Sequence, residues 1–196
     1  MKTIKTRVSN ILFFDLEFTC WEDSLKTNWS DPDYPAEVIQ IGLVIYDDEK
    51  EKEIDSFSSY VRPTINAQLS NYCKALTGIP QECVVQADRI DLVNSEIENW
   101  LSQYTLDKSY SWGRADLEFW SRHSLRENSV CPIHAIPYTD MMKVVSKELN
   151  MPYMQCERKT AREQLEMKMS EKHIHNALSD AADLIDFYQT LVLHAA

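Results

Sequence analysis

The pattern of apolar and polar positions predicts three strands near the start of the chain. Residues 10–17 form a short apolar run, and residues 37–47 and 53–61 are rich in β-branched side chains that partly alternate with polar ones. A short polar cluster, DDEKE, separates the second and third segments, and Arg62-Pro63 ends the third. We therefore expect an antiparallel meander at the start of the domain.

Helical spacing follows the meander. Apolar residues three and four positions apart define one helix face, at Ile90, Val93, Ile97, Leu101 and Tyr104. A short strand is predicted over residues 109–112, and a helix is predicted to start near Asp116. A further helix is predicted over residues 139–149, with Thr139 and Asp140 as candidate N-caps.

The last predicted helix runs from about Asn176 to the C-terminus. Its apolar stripe consists of Ala177, Ala181, Leu184, Ile185, Tyr188, Leu191 and Val192. The chain contains neither an internal repeat nor a linker-like stretch rich in glycine and proline. The sequence therefore predicts one α/β domain over residues 1–196, with its core at about 10–190.

Two carboxylates lie at the end of the first predicted strand. Asp15 and Glu17 are two residues apart, so both side chains project from the same face. Two like charges at such a short distance are unfavourable unless a cation lies between them. The pair therefore indicates a divalent metal. The alternative is that the strand ends there and both carboxylates face water.

Further candidate residues lie in the second half of the chain. His175 precedes the last helix, and Asp180 shares the small and apolar side of that helix, where a buried carboxylate needs a partner. Asp116 follows the strand-like segment SYSW at the start of a helix. Each residue taken singly has a structural explanation: a helix cap or N-terminal charge for the aspartates, and a buried hydrogen-bonded imidazole for His175.

Composition limits the compartment and the partners. The 196 residues carry a net charge of −11, which argues against extended binding of duplex nucleic acid through a basic face. Five scattered cysteines without a CxxC pair predict reduced thiols. The N-terminal segment lacks a secretory pattern, and no apolar run approaches the length of about 20 residues that a membrane helix needs. We therefore expect a cytoplasmic protein that has no membrane partner.

Five segments, in order, resemble the DEDDh 3′–5′ exonuclease superfamily, which has an RNase H-like fold. The segments are ILFFDLEFTCWE, EVIQIG, LSNYCKALTGI with Gln81 following, SWGRAD and HNALSDAADL. The first and third are most similar to the branch that contains the histone-mRNA 3′-exonuclease and the bacterial sporulation-inhibitor-like exonucleases. The resemblance extends from about Ile11 to Phe187. One departure is the stretch SEKHIHNALSD, which lacks the glycine that relatives often carry shortly before the histidine.

The resemblance implies a mixed central sheet flanked by helices and a two-metal-ion active site. It implies metal ligands at Asp15, Glu17, Asp116 and Asp180, and a general base at His175. Two Mg²⁺ ions, with Mn²⁺ as a substitute, suit a set of carboxylate ligands. The implied reaction is hydrolysis from the 3′ end of single-stranded DNA or RNA, with release of nucleoside 5′-monophosphates. The implied contacts to the terminal nucleotide are Phe18, Thr19, Trp21, Leu76 and Gln81, although core packing explains Phe18 equally well.

Two other functions stay open at this point. The chain could be a non-catalytic module that binds a nucleic-acid end or a protein, or a hydrolase of dinucleotides and short signalling oligonucleotides. The complete acidic set favours catalysis, and the net negative charge predicts a small footprint on a strand. A basic cluster that could guide such a strand consists of Lys143, Lys147, Arg158, Lys159, Arg162, Lys168 and Lys172. Substrate choice, protein partners, and a role in RNA processing, DNA end trimming or antiviral defence are left undecided.

Overall fold

Five strands form one mixed sheet in the computed structural model, which describes residues 10–168 and 175–193 of the chain. They are β1 (Asn10–Phe18), β2 (Val38–Asp47), β3 (Lys52–Tyr60), β4 (Leu106–Ser111) and β5 (Tyr138–Asp140). Their order across the sheet is β3-β2-β1-β4-β5. The β3-β2 and β2-β1 pairs are antiparallel, whereas the β1-β4 and β4-β5 pairs are parallel. The predicted opening meander is confirmed.

Helices cover both faces of this sheet. They are α1 (Ser24–Thr27), α2 (Asn71–Thr77), α3 (Gln81–Gln86), α4 (Ile90–Leu101), α5 (Ala115–Arg126), α6 (Met141–Glu148), α7 (Arg158–Gln164) and α8 (Ala177–Tyr188). A short 3-10 helix (Tyr153–Gln155) and a π-helical turn (Gln189–Leu193) complete the helical segments of the described ranges. Across these ranges, no helix has both the length and the apolar composition that crossing a bilayer requires.

Strand β1 lies at the centre and is buried on both faces. Leu12, Phe14 and Leu16 pack into the core beneath α4 and α5. Ile11 and Phe13 pack into the opposite core, beneath α8 and α6. This double burial explains why β1 has a nearly continuous apolar sequence rather than a clean alternation. The two carboxylate side chains of β1, Asp15 and Glu17, therefore project from a strand that has very little access to solvent.

The observed elements differ from the predicted ones mainly at their ends. Helix α4 ends at Leu101, so Tyr104 lies in the following turn, where its hydroxyl donates to Asp55. Asp140 is the N-cap of α6 and accepts from the Lys143 amide at 3.1 Å, whereas Thr139 belongs to β5. Helices α1, α2, α3 and α7 were not predicted, because a helix of four to seven residues is too short to show a periodic apolar stripe.

Candidate active site

Asp15 and Glu17 project from β1 on the face that α8 covers. Both residues are only 7% exposed. Their partners on β2 are Gly42 opposite Asp15 and Gln40 opposite Glu17. The regular pairing with β2 breaks between Glu17 and Phe18, an irregularity of the kind that redirects side chains at strand ends. The carboxylates therefore stand at the carboxyl end of the central strand, where open α/β sheets commonly bind ligands.

Asp116 reaches the same end of the sheet from the first turn of α5. The chain turns sharply from β4 into α5 at Gly113, whose φ of +85° lies in the left-handed region that favours glycine. Asp116 is 6% exposed, and the Ser111 side chain and the Leu16 backbone favour its charged form. The aspartate is therefore buried next to β1 and is not an exposed helix cap.

Helix α8 brings His175 and Asp180 to the carboxylates of β1. The Asn176 side chain caps α8 by accepting from the Ser179 amide at 3.1 Å. The Ala177 amide donates to Gln40 Oε1 at 3.1 Å, which ties the start of α8 to β2. Asp180 lies in the first helical turn, and His175 immediately precedes the cap.

Gly42 allows this close approach of α8 to the sheet. A Cβ atom at this position would lie 2.2 Å from the backbone carbon of Ala177 and 2.2 Å from the backbone nitrogen of Leu178. Because both atoms belong to the backbone, no side-chain rotation relieves the clash. The absence of a side chain opposite Asp15 therefore determines where the N-terminus of α8 lies.

The carboxylates that converge here disfavour one another's ionisation. Burial, followed by repulsion from Asp15, Asp180 and Asp116, raises the pKa of Glu17 to about 9. Burial and the Asp15 charge raise the pKa of Asp180 to about 7. Burial and the Asp15 charge also raise the pKa of Asp116 well above its usual value. Burial and mutual repulsion both oppose the charged forms of these groups, and a bound cation would offset both effects.

Donor atoms from three of the predicted residues are close enough to share one ion. Ligand atoms of Glu17, His175 and Asp180 all lie within 4.8 Å of one another. Oxygen donors from carboxylates are the ligands that Mg²⁺ and Mn²⁺ prefer, so the chemistry of the donor set fits these ions. Asp116 joins the carboxylate cluster electrostatically from the start of α5.

Asp15 is in contact with an arginine. The Arg158 guanidinium donates from Nη2 to Asp15 Oδ1, and its Nη1 lies 3.6 Å from Asp180 Oδ1. Burial raises the pKa of Asp15, and the attraction of Arg158 offsets that rise only in part. For Arg158, burial opposes the charged form, but the surrounding carboxylates outweigh it and raise the pKa of the guanidinium. The acidic cluster therefore already holds one protein cation.

A cavity of about 240 Å³ opens next to Glu17 and His175. Its lining includes three of the predicted nucleotide contacts, Phe18, Trp21 and Leu76. The Phe18 ring also packs against Phe119, with ring centroids 5.3 Å apart, so Phe18 serves both the cavity wall and the core. The lining is mainly apolar and aromatic, which suits the flat face of a base.

The two remaining predicted contacts are engaged with the protein itself. Thr19 is 2% exposed, and its hydroxyl donates to the Pro35 carbonyl at 3.1 Å. The Gln81 side chain donates to the Ala67 carbonyl and accepts from the Leu69 amide, each at 2.8 Å. Neither residue is part of the cavity lining, and both hold loops that border the site.

The basic cluster is divided by the fold. Arg162 is buried, and its Nη2 bonds to Asp183 Oδ1 at 2.5 Å and to Asp186 Oδ2 at 2.7 Å, so it ties α7 to α8. Arg158 belongs to the acidic site. The other described members, Lys143, Lys147, Lys159 and Lys168, are exposed, and Lys172 lies outside the described residues together with most of the stretch before His175.

Sequence reasoning did not identify Gly42, Gln40 or Arg158 as parts of the site. Gly42 carried a usable signal, because a glycine within a strand of β-branched residues often marks a close backbone approach. Arg158 was grouped with surface lysines, since a charge in sequence carries no information about the carboxylates that will surround it. Only the packing of α7 beside α8 reveals its role.

Proteins that are similar in sequence to this chain are exonucleases. The chain is 29% identical over 147 residues to the 3′–5′ exonuclease crn-4 of Caenorhabditis elegans. The alignment covers 71% of this chain and 47% of that protein. It is 29% identical over 133 residues to human 3′–5′ exoribonuclease 1, covering 68% of this chain and 36% of the relative. The chain thus spans less than half of the length of these relatives.

Solved structures show the same fold. The 3′-exonuclease in a structure on 3′-end recognition of the histone mRNA stem-loop matches with a TM-score of 0.81 and 24% identity, over 95% of this chain and 64% of that one. The nuclease domain of 3′hExo, a DEDDh family member bound to rAMP, matches with a TM-score of 0.79 and 24% identity. This match covers 93% of this chain and 90% of that one. The RNase H-like fold of these exonucleases is confirmed. The family model RNase_T, described as Exonuclease, matches residues 12–188, and the chain therefore belongs to this exonuclease family.

Proposed function

We propose that the chain is a metal-dependent nuclease that removes nucleotides one at a time from the 3′ end of single-stranded RNA or DNA. The observation that carries the proposal is the position of Glu17, His175 and Asp180, whose ligand atoms lie within 4.8 Å of one another beside an apolar cavity. The cavity accepts a terminal base, and the polar groups flank the place where the adjoining phosphate would lie. The names of the relatives, among them an exoribonuclease, support RNA as the first substrate to test.

Asp15, Glu17, Asp116 and Asp180 are the residues that would hold two Mg²⁺ ions, or Mn²⁺ in their place. Such ions lower the pKa of bound water and stabilise charge on the departing oxygen. The carboxylates supply the negative charge that attracts these ions, and burial at the start of α5 keeps Asp116 beside β1.

His175 takes the proton from the attacking water. The side chain is exposed next to Glu17 and Asp180, so it reaches water on the open side of the site. A neutral imidazole has one ring nitrogen that can accept a proton, which suits a general base. The water oxygen forms a bond to phosphorus while the bond from phosphorus to the 3′ oxygen of the preceding nucleotide breaks. A proton from solvent completes the 3′ hydroxyl on the strand, and a nucleoside 5′-monophosphate is released.

Phe18, Trp21 and Leu76 are proposed to hold the terminal base, since they line the cavity. Thr19 and Gln81 would act on the nucleotide only indirectly, because their polar atoms hold neighbouring loops. The five free cysteines support a reducing compartment, for which we propose the cytoplasm. The domain assignment, one exonuclease domain over residues 1–196, is part of the same proposal.

The test is digestion of matched 5′-labelled RNA and DNA strands in the presence of Mg²⁺. We expect a ladder that shortens from the 3′ end and that vanishes with a chelator or in Asp15→Ala. Asp88→Ala, which removes an exposed aspartate, is the matched control and should leave the ladder unchanged. Cleavage confined to internal bonds, or a ladder of equal intensity in Asp15→Ala, would disprove the proposed activity.

A length series on the same gel separates a second candidate. The net charge of −11 would also suit a hydrolase of dinucleotides, which needs no extended basic surface. An exonuclease on strands degrades a twenty-nucleotide substrate at least as efficiently as a dinucleotide. A strong preference for the dinucleotide would favour the second candidate over the first.

A further inference from the structure

Arg158 lies between two of the candidate metal ligands. It is the first residue of α7, and its side chain is 20% exposed. Its Nη2 donates to Asp15 Oδ1 on β1, and its Nη1 donates to the backbone carbonyl of Asp180 on α8 at 3.1 Å. The guanidinium lies over the Trp112 ring, 5.7 Å from the ring centroid. Strand β1, helix α8 and the segment that follows β4 therefore all contact this one cation.

The contact with Asp15 has a direct consequence for metal binding. An oxygen of Asp15 that accepts a charged hydrogen bond from Arg158 has less negative charge to offer an ion at the same position. A guanidinium and a divalent ion at contact distance also repel each other. Arg158 and the metal therefore compete for Asp15, and occupancy by one weakens the other.

The position of Arg158 also suits a phosphate. A guanidinium presents several donors in one plane and pairs with phosphate oxygens through two parallel hydrogen bonds. Helix α7 keeps the base of the side chain beside the site, while its long stem allows the charged end, which lies over the Trp112 ring, to move away from Asp15. The substrate phosphate would lie next to the same carboxylates, which is within reach of this group.

We propose that Arg158 is the protein's own counter-ion for the metal site, that divalent ions compete with it for Asp15, and that the released guanidinium binds the phosphate of the terminal nucleotide. This inference rests on the proposed function. To the proposed function the inference adds a substrate-binding residue, Arg158, which exchanges the carboxylate of Asp15 for the phosphate of the substrate.

The first measurement is Mg²⁺ binding to the full chain without substrate, by titration calorimetry. In Arg158→Gln the competitor is gone, so we expect the Kd for Mg²⁺ to fall by about three- to tenfold. Lys159→Gln removes one positive charge from an exposed neighbouring position and serves as the matched control, with little change in Kd. A variant whose site is merely damaged would bind Mg²⁺ more weakly, so tighter binding is specific to the proposed competition.

The second measurement is kcat/KM on a short single strand at saturating Mg²⁺. We expect a fall of about tenfold or more in Arg158→Gln, because a charged contact to the phosphate is lost. Arg158→Lys retains the charge without the planar pair of donors and should fall in between. Thermal unfolding in the presence of Mg²⁺ verifies that each variant is folded.

Several outcomes would overturn the inference. A Kd for Mg²⁺ that is unchanged or higher in Arg158→Gln contradicts the competition, and an unchanged kcat/KM contradicts the phosphate contact. If the wild-type chain binds Mg²⁺ and degrades strands, either result rejects the role of Arg158 alone. If the wild-type chain does neither, the proposed function itself fails.

Discussion

At the scale of single residues, the candidate site divides its groups between buried carboxylates and an exposed imidazole. Asp15, Glu17 and Asp116 are each at most 7% exposed, whereas His175 is open to solvent. Burial suits the carboxylates because a low dielectric around them strengthens their attraction for a bound ion. Exposure suits a base that must pass its proton on to bulk water after each reaction.

The role of His175 predicts a selective loss of turnover. Replacing it with alanine removes the proton acceptor but leaves the cavity walls in place, so we expect kcat to fall by about 100- to 10,000-fold while KM changes little. Steady-state kinetics on a short labelled strand measure both constants.

His134→Ala is the control for this substitution. His134 is likewise exposed but lies in the loop after α5, away from the cavity, so its removal should leave kcat unchanged. A His175→Ala variant that keeps near wild-type turnover would show that another group accepts the proton.

At the scale of secondary-structure elements, the site depends on how closely α8 packs on the sheet. Gly42 lies opposite Asp15 on β2, and the backbone at the start of α8 occupies the space of its missing side chain. The Gln40 side chain then holds the Ala177 amide at 3.1 Å. Two positions of β2 thereby fix the helix that carries Asp180 and follows His175.

This packing predicts that Gly42→Ala damages catalysis through the backbone. The added methyl group forces α8 away from β2, and a displacement of about 1 Å at reacting groups is enough to reduce a rate about a hundredfold. Overpacking of this kind should also lower the melting temperature by about 3 to 10 °C. Calorimetry and the strand-digestion rate together test the prediction.

Ser58→Ala provides the matched control for Gly42→Ala. Ser58 is the partner of Gly42 on β3 and is exposed, so its substitution changes the same rung of the sheet and removes only an exposed hydroxyl group. We expect wild-type activity and a nearly unchanged melting temperature. Unchanged activity in Gly42→Ala itself would mean that the site tolerates a shift of α8.

At the scale of the whole molecule, the site makes folding depend on pH and on cations. The pKa of Glu17 is about 9 and that of Asp180 about 7, both above their usual values, so the folded chain holds protons that the unfolded chain has already released. Stability that comes from such groups decreases as the pH rises towards the folded pKa. A bound divalent ion replaces those protons and reverses the loss.

We therefore predict a lower melting temperature at pH 8.5 than at pH 6.5 in the presence of a chelator, by about 3 °C or more. The interval lies above the range in which the buried His123 titrates, because burial lowers the pKa of His123 to about 4. Added Mg²⁺ should raise the melting temperature more at pH 8.5 than at pH 6.5.

Glu17→Gln removes the group with the larger of these two rises in pKa and should make the melting temperature less dependent on pH. Glu96→Gln, at an exposed position on α4, should leave that dependence unchanged. Differential scanning calorimetry at the two pH values measures all three proteins. A wild-type chain that becomes more stable as the pH rises over this interval would contradict the electrostatic account.

The sequence by itself determined the elements with strong periodicity and pointed to the residues that we propose carry the chemistry. The apolar run of β1, the β-branched β2 and the stripe of α8 predicted their own structures, because burial requires apolar side chains at fixed intervals. Asp15, Glu17, Asp116, His175 and Asp180 were identified from their motifs. These features are local, and a local pattern can be read without knowing its neighbours.

Only the tertiary structure decided which of these residues meet and what else joins them. Arg158 became a partner of Asp15 although 143 positions separate them, and Gln81, which was predicted as a contact to the terminal nucleotide, bonds to the backbone of Ala67 and Leu69. The space above Gly42 has meaning only once α8 lies on it. Contacts between distant segments depend on the geometry of packing, and the electrostatic environment of each carboxylate follows from those contacts rather than from its own position in the chain.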